Sequence, residues 1–214
     1  MQITIRDPGS AFTHYIALLL SLFAAIPLMI KASSNEETFA SVAIFMLSMI
    51  LLYAASTTYH TVNIPQKYLR LFRKLDHMMI FVLIAGTYTP ICLTVLKDGP
   101  GLILLAAVWI IALIGMYINI LWITCPKWIS SVIYIAMGWI CVFVFSELLH
   151  TLPLAGFLWL LIGGIIYTIG GIIYALKLPL FNNRHKYFGS HEIFHLFVMA
   201  GSFCHYIFMY MYIA

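Results

Sequence analysis

"LAGFLWLLIGGIIYTIGGIIYAL", Leu154 to Leu176, contains no charged side chain. As an α-helix it reaches about 35 Å, enough to cross a hydrocarbon core of about 30 Å. In such a core every backbone N–H and C=O must be paired within the protein, which leaves only helices or closed barrels. A barrel strand reads as roughly ten residues of alternating polarity, and this run does not alternate. Composition extends the reading to the whole chain. Hydrophobic residues make up 64% and charged residues 8%, with a mean hydropathy of +1.02, against about one-quarter charged in a soluble domain.

Six further runs of the same kind flank the quoted one: Ala11 to Ile30, Phe39 to Tyr59, Met78 to Val95, Leu102 to Thr124, Trp128 to Leu149 and Ile193 to Ile213. Together they predict an all-α integral membrane protein, a seven-transmembrane helix bundle in which residues 1–214 form one domain. The first run follows Arg6 and Asp7, is long, and lacks a clean small-residue cleavage site, so it reads as a helix and not as a cleavable signal.

Basic residues set the expected orientation. With the amino terminus cytoplasmic, Arg6, Lys67, Arg70, Arg73, Lys74, Lys127, Lys177, Arg184 and Lys186 fall inside, and only Lys31 and Lys97 of the eleven lysines and arginines fall outside. The net charge of +4 is then explained by topology and anionic headgroups, and no nucleic-acid surface is needed. Cys92, Cys125, Cys141 and Cys204 stand singly, without a CxxC pair, and read as buried free thiols. The pairs Gly163-Gly164 and Gly170-Gly171 read as a close helix–helix contact.

Ionisable groups at membrane depth are costly and are candidates for function. In this topology the second helix ends in "STTYH", with His60 at its cytoplasmic end and Ser56 one turn deeper on the same face. The third begins near Asp76, and the seventh carries His191 and His195 in its first turns. Three helices therefore bring His60, Asp76, His191 and His195 to one depth. The i,i+4 pair His191 and His195 presents two imidazoles on one helical face. Zinc takes neutral imidazole nitrogens and keeps an open position when three protein ligands hold it, which makes His60 the natural third ligand. Asp76 is placed to orient water or accept its proton, and Ser56 to support it by hydrogen bonding. The bland alternative for each histidine is an interhelical hydrogen bond, and for Asp76 a helix cap paired with Arg73 or Lys74.

"SHEIFH", Ser190 to His195, also satisfies the His-Glu-x-x-His pattern of zinc proteases. The alternative for Glu192 is a carboxylate near a helix amino end, favoured by the helix dipole. His205 stands too far along the helix to share a metal with His191 and reads as a packed histidine bonded to a neighbouring helix. His14, Glu147 and His150 read as interfacial polar groups. Asp7 has two readings, a place at the mouth of the site or simple snorkelling.

Ser-x-x-x-His at Ser56 and His60, Asp76 within "KLDH", "AGTYTP" at Ala85 to Pro90, His-x-x-x-His at His191 and His195, and "GSFCH" at Gly201 to His205 resemble the hemolysin III and progestin-adiponectin receptor family. That family lies within a superfamily that includes alkaline ceramidases. The resemblance covers nearly the whole chain, and its short length is similar to the bacterial hemolysin III branch, which implies a bacterial plasma membrane. It implies zinc held by His60, His191 and His195, with Asp76 and Ser56 as catalytic groups. It also implies that Glu192 is not an essential base. A ceramide-like lipid amide is the implied substrate. Three function classes follow: a zinc-dependent lipid amidohydrolase, a signalling or membrane-homeostasis protein with structural zinc, and a cytolytic pore. A pore calls for a continuous polar lining, whereas the polar residues here gather at one end. Oligomeric state is not legible in the sequence.

Overall fold

The structure is a computed structural model that describes residues 4–122, 126–176, 185 and 187–214. Cys125, Lys177, Arg184 and Lys186 lie outside the described residues. Seven helices long and apolar enough to cross a membrane are present among those described: α1 Pro8–Ala32, α2 Glu36–Thr61, α3 Gln66–Val95, α4 Gly101–Leu121, α5 Trp128–Thr151, α6 Leu154–Leu176 and α7 Ser190–Ile213. No strand occurs among the described residues.

Local chemistry sets the helix ends. Pro8 opens α1, where its missing N–H costs nothing. The Asn35 side chain accepts the Thr38 N–H at 2.9 Å and caps α2, with Glu36 and Glu37 in the positive first turn. Helix α3 starts at Gln66, well before the Met78 expected from hydropathy. Its first turns are amphipathic and charged, so a search for continuous apolar runs passes over them. Asp76 is therefore inside the helix and is not its cap. Near the far end Pro90 gives way to a π-helical turn, Ile91–Val95.

Helix α5 departs from the expected unbroken run. It tightens to a 3₁₀ segment over Trp139–Val144, and Tyr88 of α3 occupies the break. The Tyr88 hydroxyl donates to the Gly138 carbonyl at 2.6 Å and accepts the Cys141 N–H at 3.1 Å. Backbone groups that lose their α-helical partners there are thereby kept satisfied, as the membrane interior requires.

Packing closes a ring. Neighbours in sequence pack from α1 through α4, α5 packs on α3 and α6, α6 on α7, and α7 returns to α1. Helix α4 lies mainly outside, against α3. Large apolar side chains such as Phe23, Ile103 and Phe143 face outward, 70%, 78% and 86% exposed, a pattern that suits lipid and not water. Inside the ring runs a cavity of ≈ 190 Å³ with mostly apolar walls.

Candidate metal centre

The centre is built at the end of the bundle that carries the amino terminus. His60 stands in the last turn of α2, and His191 and His195 occupy the first turns of α7. Each offers a ring nitrogen, and these nitrogens lie within 4.8 Å of one another. His60 and His195 are buried, 4% and 2% exposed, and His191 is half-buried. His60 Nε2 is 3.2 Å from His191 Nε2.

Hydrogen bonds from the chain's first residues fix which nitrogen faces inward. His60 Nδ1 lies 3.0 Å from the Asp7 carboxylate, an acceptor, so Nδ1 carries the hydrogen and Nε2 presents a lone pair. Thr13 donates its only hydroxyl hydrogen to the Ser10 carbonyl at 2.9 Å, so toward His195 Nδ1, at 3.0 Å, it accepts. His195 Nδ1 is therefore also protonated, leaving Nε2 with the free lone pair.

A lone pair in this dry setting needs a proton or a cation opposite it. Two imidazole nitrogens on one tetrahedral zinc, each at about 2.0–2.1 Å, stand roughly 3.3–3.4 Å apart, close to the observed His60–His191 separation. The donor set of three imidazoles, two of them with outward-facing Nδ1–H groups, fits zinc, and carboxylate or hydroxyl support behind a histidine ligand is how such sites are oriented.

Asp7 thus belongs to the site, and snorkelling does not describe it. Its backbone N–H donates to the His60 carbonyl at 3.0 Å, and its carboxylate accepts from Arg6 at 2.8 Å. Burial alone pushes the Asp7 carboxyl up, but the hydrogen bonds from His60 and Arg6 outweigh it and hold the group below the usual carboxylate range. The Arg6 guanidinium in turn lies 4.0 Å over the Tyr59 ring.

His14 corrects the sequence reading more sharply. It is not interfacial: it is 3% exposed and stacks on His195, with ring centroids 3.5 Å apart and planes 10° from parallel. Neither of its nitrogens has a hydrogen-bond partner among the described residues. The signal was present in the polar spacing Ser10, Thr13, His14, which puts all three on the α1 face that meets α7.

Asp76 and Ser56 are buried and line the cavity beside His14, His191 and His195. Ser56 Oγ has no hydrogen-bond partner at bonding distance among the described residues, and the Asp76 carboxylate is its polar neighbour. His60 is absent from the cavity wall and backs the pair from the α2 side. Both Glu192 oxygens are engaged away from the triad: Oε2 accepts the Gly189 N–H at 2.7 Å, and Oε1 accepts the Ser10 hydroxyl. Glu192 ties the start of α7 to α1, as a carboxylate at a helix amino end does. Glu147 and His150 are exposed, as expected. Cys92, Cys141 and Cys204 are free thiols.

The expected glycine contact is narrower than the sequence suggests. Gly163 and Gly170 meet α7 side chains, Gly171 meets Ile135 of α5, and a Cβ on Gly164 would meet nothing. The middle of the bundle is also less apolar than expected, because Tyr53, Ser202 and Tyr167 are hydrogen-bonded there.

A family profile described as haemolysin-III related matches residues 3–206. Hemolysin-3 of Bacillus cereus is 38% identical over 94% of this chain and 89% of that protein. The Hemolysin-3 homolog of Bacillus subtilis (strain 168) is 37% identical over 93% and 91%. The adiponectin receptor protein of Drosophila melanogaster is 25% identical over 94% of this chain but only 49% of its own length. With seven apolar helices and a matching profile over nearly its full length, the chain belongs to the haemolysin-III related family of multi-pass membrane proteins.

Proposed function

We propose that the protein is a zinc-dependent amidohydrolase that takes a lipid amide, ceramide-like in class, from the bilayer. The observation that carries this reading is the convergence of three imidazole nitrogens, with His191 and His195 lining an apolar cavity that the buried Asp76 carboxylate also lines. His60, His191 and His195 would hold the ion. Zinc bound there supplies a Lewis acid for an amide carbonyl and acidity for water. Asp76 holds the proton that water loses and returns it to the leaving nitrogen, the two-way role of a buried carboxylate. Ser56 orients Asp76 by facing it from α2. The apolar walls keep bulk water out and accept the lipid's chain. The basic residues clustered at the same end support a cytoplasmic amino terminus in a bacterial plasma membrane, with the site under the inner leaflet.

The test compares purified wild type with single variants, reading both bound metal and release of fatty acid from a ceramide in mixed micelles. Asp76→Asn is expected to keep zinc and lose turnover, and Glu192→Gln to keep both. A wild-type protein that carries zinc but releases no fatty acid from any lipid amide favours the second reading, in which zinc is structural in a signalling or membrane-homeostasis protein. The likeness to an adiponectin receptor protein supports that alternative. The names of the Bacillus relatives raise a third, a cytolytic pore, which conductance of the purified protein in planar bilayers addresses.

A further inference from the structure

Deep in the cavity, helices α6 and α7 seat each other's rings on glycine. The His205 ring of α7 lies on Gly163 of α6, where an added Cβ would stand 2.8 Å from Nε2. The Tyr167 ring of α6 lies on Gly201 of α7, where a Cβ would stand 2.7 Å from Cδ1. The two rings stack, with centroids 5.3 Å apart and planes within 15°, and both line the cavity.

Their polar atoms are incompletely matched. Tyr53 donates to Ser202 Oγ at 2.7 Å, and the Tyr167 hydroxyl pairs with the same oxygen at 2.9 Å. Three hydroxyls thus share two bonds, so one O–H hydrogen has no acceptor within the trio. His205 is 8% exposed, and its Nδ1 has no partner among the described residues. Polar groups left unmatched in an apolar interior are expensive, yet glycines on both helices make room for these two.

The separation from the triad suggests a ligand. His205 lies about 15 Å beyond His195 along α7, and the cavity that both line is mostly apolar, with Leu83, Ile84, Leu160 and Val198 among its residues. With C–C bonds of about 1.5 Å, an extended chain reaches roughly 14 Å at its twelfth carbon. We propose that His205 and Tyr167 form a second recognition point, which binds a hydroxyl or keto oxygen midway along the hydrocarbon of a single-chain amphiphile whose head lies at the histidine triad. Tyr167 donates to that oxygen, and a hydroxyl there donates in turn to His205. This goes beyond the hydrolase reading and does not depend on it, because the test reads binding of acids that contain no amide.

The experiment measures competition by 12-hydroxyoctadecanoic acid and by octadecanoic acid against a fluorescent fatty acid on the full-length protein in detergent. Wild type is expected to bind the hydroxy acid about tenfold more tightly, the yield of one to two well-made hydrogen bonds. His205→Phe and Tyr167→Phe keep two aromatic rings at these positions and are expected to bring the two acids near parity. If His205→Phe does not fold, Tyr167→Phe decides. Equal affinities in wild type, as a pole that merely holds water would give, overturn the proposal, as does a preference that survives both substitutions.

Discussion

His195 and His205 sit on one helix, both buried, and the fold treats them in opposite ways. His195 is oriented by Thr13, backed by the stacked ring of His14 and brought within reach of two other imidazoles. His205 has an aromatic ring beside it and a glycine under it, and its Nδ1 has no partner among the described residues. Both rings are buried, so being buried does not distinguish a ligand-type histidine from one that waits for a partner. What distinguishes them is whether the outward nitrogen is pinned, because pinning Nδ1–H fixes where the other lone pair points.

The largest expected effect breaks the contrast outright. His60→Ala is expected to leave purified protein without stoichiometric zinc, whereas His205→Phe keeps it, as read by elemental analysis of both. Next come the residues that do the pinning. Asp7→Asn and Thr13→Val are each expected to weaken zinc binding by about 10- to 100-fold, measured by competition with a chromophoric chelator. Equal affinities would show that tautomer control is not needed.

At the other pole, Gly163→Ala drives a methyl toward His205 Nε2. A cost of about 1–3 kcal/mol is expected from overpacking, seen as a lower midpoint in thermal unfolding with zinc content unchanged. The smallest effect lies at the exposed surface, where Lys97, beyond the end of α3, pairs with Glu37 in the first turn of α2. Its hydrogen bond to Glu37 raises the Lys97 amine above the ordinary lysine range. The pair's contribution is therefore full below that range and is lost only as pH rises through the raised value. Because both groups are solvent-exposed, Glu37→Gln is expected to leave thermal stability unchanged at neutral pH.

Much of this was legible in the sequence because lipid imposes a simple rule: uninterrupted apolar runs become helices, and ionisable residues inside them stand out. His60, Asp76, His191 and His195 were found that way, and the structure brings the three histidines together. The missing pieces share a cause. Asp7 and Thr13 act through hydrogen bonds to residues far away in sequence, which no local spacing encodes, although Ser10, Thr13 and His14 do mark one polar face of α1. The start of α3 was hidden by its charged, amphipathic first turns. The 3₁₀ break in α5 depends on a tyrosine from another helix, and the seats under His205 and Tyr167 depend on glycines that look like ordinary packing until the partner ring is known.

Whether three imidazoles grip one cation is read from X-ray absorption at the zinc edge of the metal-replete protein. About one zinc per chain is expected, with nitrogen or oxygen neighbours at about 2.0–2.1 Å and an imidazole scattering pattern that disappears in His195→Ala. A spectrum dominated by sulfur at about 2.3 Å, or one unchanged by that substitution, would contradict it.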